Sequence, residues 1–185
     1  MRRQNFEELG EADRLLIETA RRSSVNAYAP YSGFAVGSAV RTRSKRLYHG
    51  ANLENAAYGL GMCAEVAAIT AANSAGDYDI EAIAVVGFRF STPPDVTQVV
   101  TPCGRCRQLI FEAGQIARTD PVVFSCSGDL EHIEEARISE MLPGAFGPDN
   151  LGLSQSWPQL RGQLVETVRR IEAAGAPSAG RAVKR

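Results

Sequence analysis

The chain has 185 residues, with 20 Lys and Arg against 21 Asp and Glu and a formal net charge of -1. Its length suits one domain with at most a modest extension, and the even charge excludes a protein that holds nucleic acid or a membrane surface by bulk charge. Hydrophobic residues at 44% and charged residues at 22% exclude a disordered chain.

The spacing predicts a first helix over residues 8–26. There Leu9, Asp13, Leu16, Ala20 and Ser24 alternate with charged positions, and Leu15, Leu16 and Ile17 give an apolar side. Ala29-Pro30-Tyr31-Ser32-Gly33 reads as a turn. Residues 34–42 read as a closely covered strand, because small residues separate Val36, Ser38 and Val40. A polar loop over 43–46 leads to a short return strand over 47–50. Residues 51–61 are irregular. The alanine-rich MCAEVAAITAAN, from Met62 onward, predicts a second helix.

Residues 82–88 form an apolar run of strand length, followed by a proline-containing loop over 89–101. Residues 103–113 predict another helix with Pro102 at its start. Strands are expected at 121–126 and near 135–138, with a tight turn at Ser127-Gly128-Asp129 between them. Ser139 is placed to cap a brief helix, LPGAFGP is irregular, and residues 158–174 predict a last helix before a small, basic tail. Strands that alternate with helices imply an α/β fold, a three-layer α/β/α sandwich. The expected domain covers residues 1–155, with residues 156–185 as a C-terminal helix and disordered tail.

No apolar run reaches 18 residues, and MRRQNFEELGEADR lacks the apolar segment of a secretory signal. A cytoplasmic, reducing location is the expectation. In such a compartment a Cys-x-x-Cys pair holds metal or does redox chemistry more often than it forms a structural bridge.

Four cysteines are present, Cys63, Cys103, Cys106 and Cys126, and only two histidines. Cys63 opens one predicted helix; Cys103 and Cys106 open another. Helix N-termini favour thiolates, and zinc held by three thiolates keeps a fourth position for water, as a catalytic site requires. Glu65, two residues after Cys63, can point into the same cavity, where a carboxylate beside zinc-bound water can relay its proton to a leaving nitrogen. Cys126 has no local partner. Other readings stay open on these residues alone. Cys103 and Cys106 could be a thioredoxin-like redox pair, and His49, His132 or Cys126 could complete a structural zinc site.

Cys63-Ala64-Glu65 together with Pro102-Cys103-Gly104-Arg105-Cys106-Arg107-Gln108 resembles the signature of zinc-dependent nucleoside deaminases. AYAPYSGFAVGSAV (27–40), ANLENAAYGLGMCAEVAAI (51–69), TPCGRCRQLIFE (101–112) and ISEMLPGAFGPDNL (138–151) are similar to successive blocks of the cytidine deaminase family, in its small three-cysteine form. The resemblance implies a mixed five-stranded sheet and one Zn²⁺ per chain on Cys63, Cys103 and Cys106, with Glu65 as proton shuttle. It implies that Asn52, Leu53 and Glu54 hold the ribose end, that Phe34 lies against the pyrimidine, and that backbone near Ala64 and Cys103 holds the ring edge. Phe146 matches an aromatic residue contributed by a neighbouring subunit, and Tyr58 one near the subunit boundary. The implied assembly is a homotetramer with shared active sites.

The chain departs from that pattern at Val66, where the family usually has arginine, so Arg105 and Arg107 are expected to supply positive charge beside the thiolates. Aliphatic Val66 with Pro-Cys-Gly-Arg-Cys-Arg-Gln is also similar to blasticidin S deaminase. The implied reaction is hydrolytic deamination of cytidine or 2′-deoxycytidine to the uridine product and ammonia, with a modified cytosine nucleoside as the alternative substrate. A degenerate fold that only binds nucleosides or RNA, and a polynucleotide deaminase, are weighed against by the intact Glu65 and the near-zero charge. About 34 residues follow Leu151, where the resemblance ends.

Overall fold

A computed structural model describes residues 1–90 and 97–175. They fall into two compact units, Met1–Gly147 and Pro148–Arg185.

The first unit is built on one mixed sheet. Its strands are β1 (Arg2–Gln4), β2 (Phe34–Thr42), β3 (Leu47–Ala51), β4 (Ile80–Arg89), β5 (Val122–Cys126) and β6 (Ile133–Arg137). They lie in the order β1-β6-β5-β4-β2-β3. β4 and β5 are parallel, and the other neighbours are antiparallel. Helix α1 (Glu11–Ser23) packs on β2 and β4, where Leu16, Ile17 and Ala20 meet Ala39, Ala84, Val86 and Phe124. A second cluster joins Ala68 and Ile69 of α2 (Ala64–Ser74), Ile110 of α3 (Gly104–Ala117) and Met141 of α4 (Ile138–Met141) to Val40, Ile83 and Val123 of the sheet. These two clusters are the two apolar layers of the expected α/β/α sandwich.

The small residues of β2 have a direct cause. A Cβ at Gly37 would come within 2.0 Å of the Ala20 carbonyl oxygen and 2.6 Å of the Ser24 amide nitrogen. α1 therefore lies flat on the strand only because that position has no side chain. On the other side, Asp77 Oδ2 accepts from Thr42 Oγ1 at 2.9 Å, Ser44 Oγ at 2.7 Å and Tyr48 OH at 3.1 Å, and pairs with Arg46 Nε at 2.9 Å. One carboxylate thus ties the β2–β3 hairpin to the end of α2.

The sheet has six strands where five are expected. The additional one, Arg2–Gln4, is polar and carries no alternation. It pairs with β6 through backbone bonds in the register Arg2↔Glu135, and Arg2 and Gln4 both donate to the Glu135 carboxylate. The brief helix α4 also starts differently. Its N-cap is Arg137, whose amide donates to Glu140 Oε2 at 2.6 Å, while Ser139 sits inside the helix with its hydroxyl on Asp120 Oδ2 at 2.7 Å.

The second unit holds a 3₁₀ turn (Pro148–Leu151) and helix α5 (Leu153–Ala173). α5 begins five residues before the expected start at Pro158, which therefore lies inside it; Gly152 in the left-handed region, φ 68°, is its N-cap. Leu160, Leu164, Val165, Val168 and Ile171 are exposed along it. Residues 91–96 of the expected loop and 176–185 of the expected tail lie outside the described residues.

Candidate active site

α2 and α3 begin with the same irregularity. The N-cap of α2 is Cys63 and that of α3 is Cys103, positions where Ser, Thr, Asp or Asn normally accept from the first-turn amides. Neither sulfur caps its helix. Both sulfurs point instead at a common place. The Sγ atoms of Cys63, Cys103 and Cys106 all lie within 4.8 Å of one another, and those of Cys103 and Cys106 are 3.6 Å apart. All four cysteines are free thiols.

The cluster already favours charge separation. Hydrogen bonding from the Cys106 thiol pulls the Cys63 thiol down to about 6 against the opposing effect of burial, with help from Cys103 and the Arg105 guanidinium. Cys106, fully buried, is pushed up by the same hydrogen bond and by burial. Three sulfurs converging in this way are a donor set suited to a soft, tetrahedral cation. No histidine joins the group among the described residues. Three sulfurs leave the fourth tetrahedral position open, the pattern of a catalytic rather than a structural zinc site. Cys126 is buried with the α1-side cluster, away from α2 and α3, and burial pushes its thiol up to about 12.

Glu65 lies in the first turn of α2 and is 4% exposed. Burial raises its carboxyl above the ordinary glutamate range, and the neighbouring Cys63 charge adds to the effect. Glu65, Ala64, Cys63 and Cys103 line one cavity of about 620 Å³. Asn52, Leu53 and Glu54 line the same cavity. The Asn52 amide is fixed by β2, since its Oδ1 accepts from the Val36 amide at 2.9 Å and its Nδ2 donates to the Phe34 carbonyl at 3.0 Å. Those bonds use one donor and one acceptor of a group that has two of each. Glu54 Oε2 accepts from the amides of Tyr31 at 2.9 Å and Ser32 at 3.2 Å. Hydrogen bonding from Ser32 and these amides holds its carboxyl below the usual range.

Two expected substrate contacts are not brought to this cavity. The Phe34 side chain is not among the lining residues, and Arg89 stands 6.0 Å over its ring. Phe146 does not line the cavity either, and its side chain is largely exposed. Tyr58 is at the mouth, with its ring edge-on to Tyr31 at 6.4 Å. Val36, Val100 and Thr101 complete the wall and carry no local sequence signal. Val36 comes from β2, and the Val100–Cys126 bridge seats the 100–101 segment beside the sheet.

The two arginines separate. Arg105 reaches across to the Gly61 carbonyl at 3.5 Å, and its charge acts on Cys63. Arg107 donates to the carbonyls of Pro102 and Met141 and to Thr101 Oγ1.

The family described as "Cytidine and deoxycytidylate deaminase zinc-binding region" matches residues 11–124. A cytidine deaminase of Halalkalibacterium halodurans is 41% identical over 137 residues, 74% of this chain and 96% of that protein. One of Mycobacterium tuberculosis is 37% identical over 74% of this chain and 91% of its own length. The crystal structure of cytidine deaminase from Burkholderia pseudomallei superposes with a TM-score of 0.63 at 34% identity, covering 75% of this chain and all of that one. The sulfur cluster fits the one zinc ion per chain that the family description implies. With its fold, its Cys-Ala-Glu and Pro-Cys-x-x-Cys elements and these relatives all in agreement, the chain belongs to the cytidine deaminase family.

Proposed function

We propose that this chain deaminates cytidine, 2′-deoxycytidine or both by hydrolysis, releasing ammonia and the uridine product. The observation that carries this reading is one cavity lined by Cys63, Glu65 and Cys103 together with Asn52 and Glu54, with the buried Cys106 sulfur clustered against those of Cys63 and Cys103. Cys63, Cys103 and Cys106 would hold zinc, which when bound supplies the Lewis acidity that makes water nucleophilic near neutral pH. Glu65 takes one proton of the attacking water as its oxygen bonds to C4 and delivers that proton to N3; it then takes the second proton from the new C4 hydroxyl and passes it to the amine, which leaves as ammonia as the C4 carbonyl forms. Burial raises its carboxyl, which strengthens it as the proton acceptor. Backbone at Ala64 and Cys103 holds the ring edge. Asn52 and Glu54 hold the ribose hydroxyl, each oriented beforehand by its bonds to the β2 and Tyr31–Ser32 backbone. Leu53 lies between them on the cavity wall.

Phe34 would face the pyrimidine only from the cavity's edge. Phe146 would serve the cavity of a neighbouring subunit in a homotetramer. Support for association comes from the apolar rim, where Tyr31, Leu53 and Tyr58 line the cavity and are exposed. A cytoplasmic location is part of the reading, and four free thiols agree with a reducing compartment. No helix among the described residues is long and apolar enough to cross a membrane.

The test is ammonia release by purified protein over cytidine, 2′-deoxycytidine, cytosine, CMP and blasticidin S. Turnover of the first two above the rest is the expected result; turnover of blasticidin S alone would shift the substrate to a modified nucleoside, and none at all would sink the reading.

Arg105 adds positive charge beside three thiolates, a set that with Zn²⁺ sums to one negative charge and so opposes further ionisation of water, whereas the Arg107 guanidinium, expected to share that role, donates to the carbonyls of Pro102 and Met141. Arg105 is the cation whose charge acts on Cys63. Arg105→Ala is expected to lower kcat or zinc affinity by about 10-fold, within the range for outer-shell partners. Chelator competition and steady-state rates check this, and wild-type values of both would remove the compensating role.

A further inference from the structure

α3 carries Cys103 and Cys106 at its start, and the two residues that follow Cys106 turn away from the cavity. Arg107 Nε donates to the Pro102 carbonyl at 2.8 Å, and its Nη1 donates to the Met141 carbonyl at 3.3 Å. Gln108 Nε2 donates to the Phe146 carbonyl at 2.9 Å. Further along the same helix face, Gly147 lies so close that a Cβ there would meet Gln115 Oε1 at 2.4 Å and Phe111 Cε1 at 2.8 Å. The segment from Met141 to Gly147 is thus seated on α3 at three points, two of them made by consecutive residues of its first turns. Its aromatic side chain is left outside: Phe146 is 62% exposed and does not line this chain's own cavity.

We propose that Arg107 and Gln108 are positioning residues, which fix the Phe146 loop to the helix bearing two of the sulfurs and present its ring, already oriented, to the nucleoside cavity of a second copy of this chain. The proposal rests on the reading above that Phe146 serves a neighbouring site. Its physical basis is ordering. The loop contains Gly144 at φ 67° and Gly147, and glycine backbone loses more conformational freedom on being fixed than any other. A ring that must be ordered at each binding event contributes less affinity than one held beforehand. Arg107 also joins the loop's first carbonyl to Pro102, the residue before Cys103, so the loop and the start of α3 share one guanidinium.

The experiment mixes subunits. A Glu65→Gln chain keeps Phe146 and its clamp but lacks the proton shuttle; a Phe146→Ala chain keeps the shuttle but lacks the ring. Gln108→Ala is expected to raise KM for cytidine about 5-fold or more with kcat within about 2-fold and zinc content unchanged. Coexpression with Glu65→Gln chains is expected to return a wild-type KM component to Gln108→Ala, as it does to Phe146→Ala. Gln108→Glu, equal in size but without the donor, is expected to behave as Gln108→Ala does, which separates loss of the bond from loss of fold. Repair of Phe146→Ala without repair of Gln108→Ala would leave the shared cavity standing and overturn the clamp. A Gln108→Ala chain with wild-type KM, or one that loses kcat and zinc in its own subunit, would overturn it too. Failure to repair Phe146→Ala itself would bring down the shared-cavity reading and this proposal with it.

Discussion

Replacing Glu65 by glutamine is expected to lower kcat on cytidine by a factor of about 10²–10⁴, the span that a positioned acid–base group contributes. Zinc content should stay at the wild-type level. The two side chains have the same shape, so the first turn of α2 and the packing around the 4%-exposed residue 65 need not change. What changes is the ability to carry a proton. The group must be ionised to accept the first proton, so activity should fall on the acid side as Glu65 protonates; burial moves that limb up and the charge of a bound zinc ion would move it down. That acid limb should vanish from the residual activity of Glu65→Gln. Fold stability should hold or rise, because the wild-type protein pays for an ionisable group placed out of water. Rates across pH, zinc by mass spectrometry and the thermal midpoint check the three parts. A Glu65→Gln enzyme with full zinc and full kcat would remove Glu65 from the chemistry.

Much of the site was legible because its chemistry is local in sequence. Cys63 and Glu65 are two residues apart, and Cys103 and Cys106 three, so each pair declares itself within one helical turn. β2 was readable to its ends, Phe34–Thr42, since the small residues that let α1 lie on it interrupt its branched ones. The parts that escaped have no local pattern. β1 is Arg-Arg-Gln, and it is a strand only because β6, more than 100 residues away, offers an edge and Glu135. α5 was begun at Pro158 because the helical spacing of Leu160, Leu164, Val165, Val168 and Ile171 starts there, whereas the left-handed Gly152 starts it earlier and the proline is carried inside. Phe34 and Asn52 show the same limit at the cavity. Their residue types suggest ligand contacts, yet the Asn52 amide also holds the β2 backbone, and the Phe34 ring lies under Arg89 rather than on the cavity wall. Val36, Val100 and Thr101 line the cavity through the sheet and one isolated bridge, which no spacing rule reveals.

Cys106→Ala is expected to abolish zinc binding under conditions where the wild type holds one ion per chain, and to abolish ammonia release with it. Three sulfurs within 4.8 Å make the set, and Cys106 is its fully buried member, so its loss leaves two donors and a void. The fall in zinc affinity should exceed the roughly 10–100-fold cost of losing an outer-shell partner. Cys126→Ala is the matching control. That thiol is buried among apolar residues on the other side of the sheet, so its removal should cost about 1 kcal/mol of stability while zinc and kcat remain. Chelation of the wild type should reproduce the Cys106→Ala phenotype reversibly and lower the thermal midpoint, because an ion held by Cys63, Cys103 and Cys106 would join the starts of α2 and α3 in the folded chain only. Alkylation distinguishes this from a redox pair. Zinc should protect Cys63, Cys103 and Cys106 together and chelation should expose them together, whereas a Cys103–Cys106 couple would lose two thiols on oxidation and leave Cys63 reactive throughout.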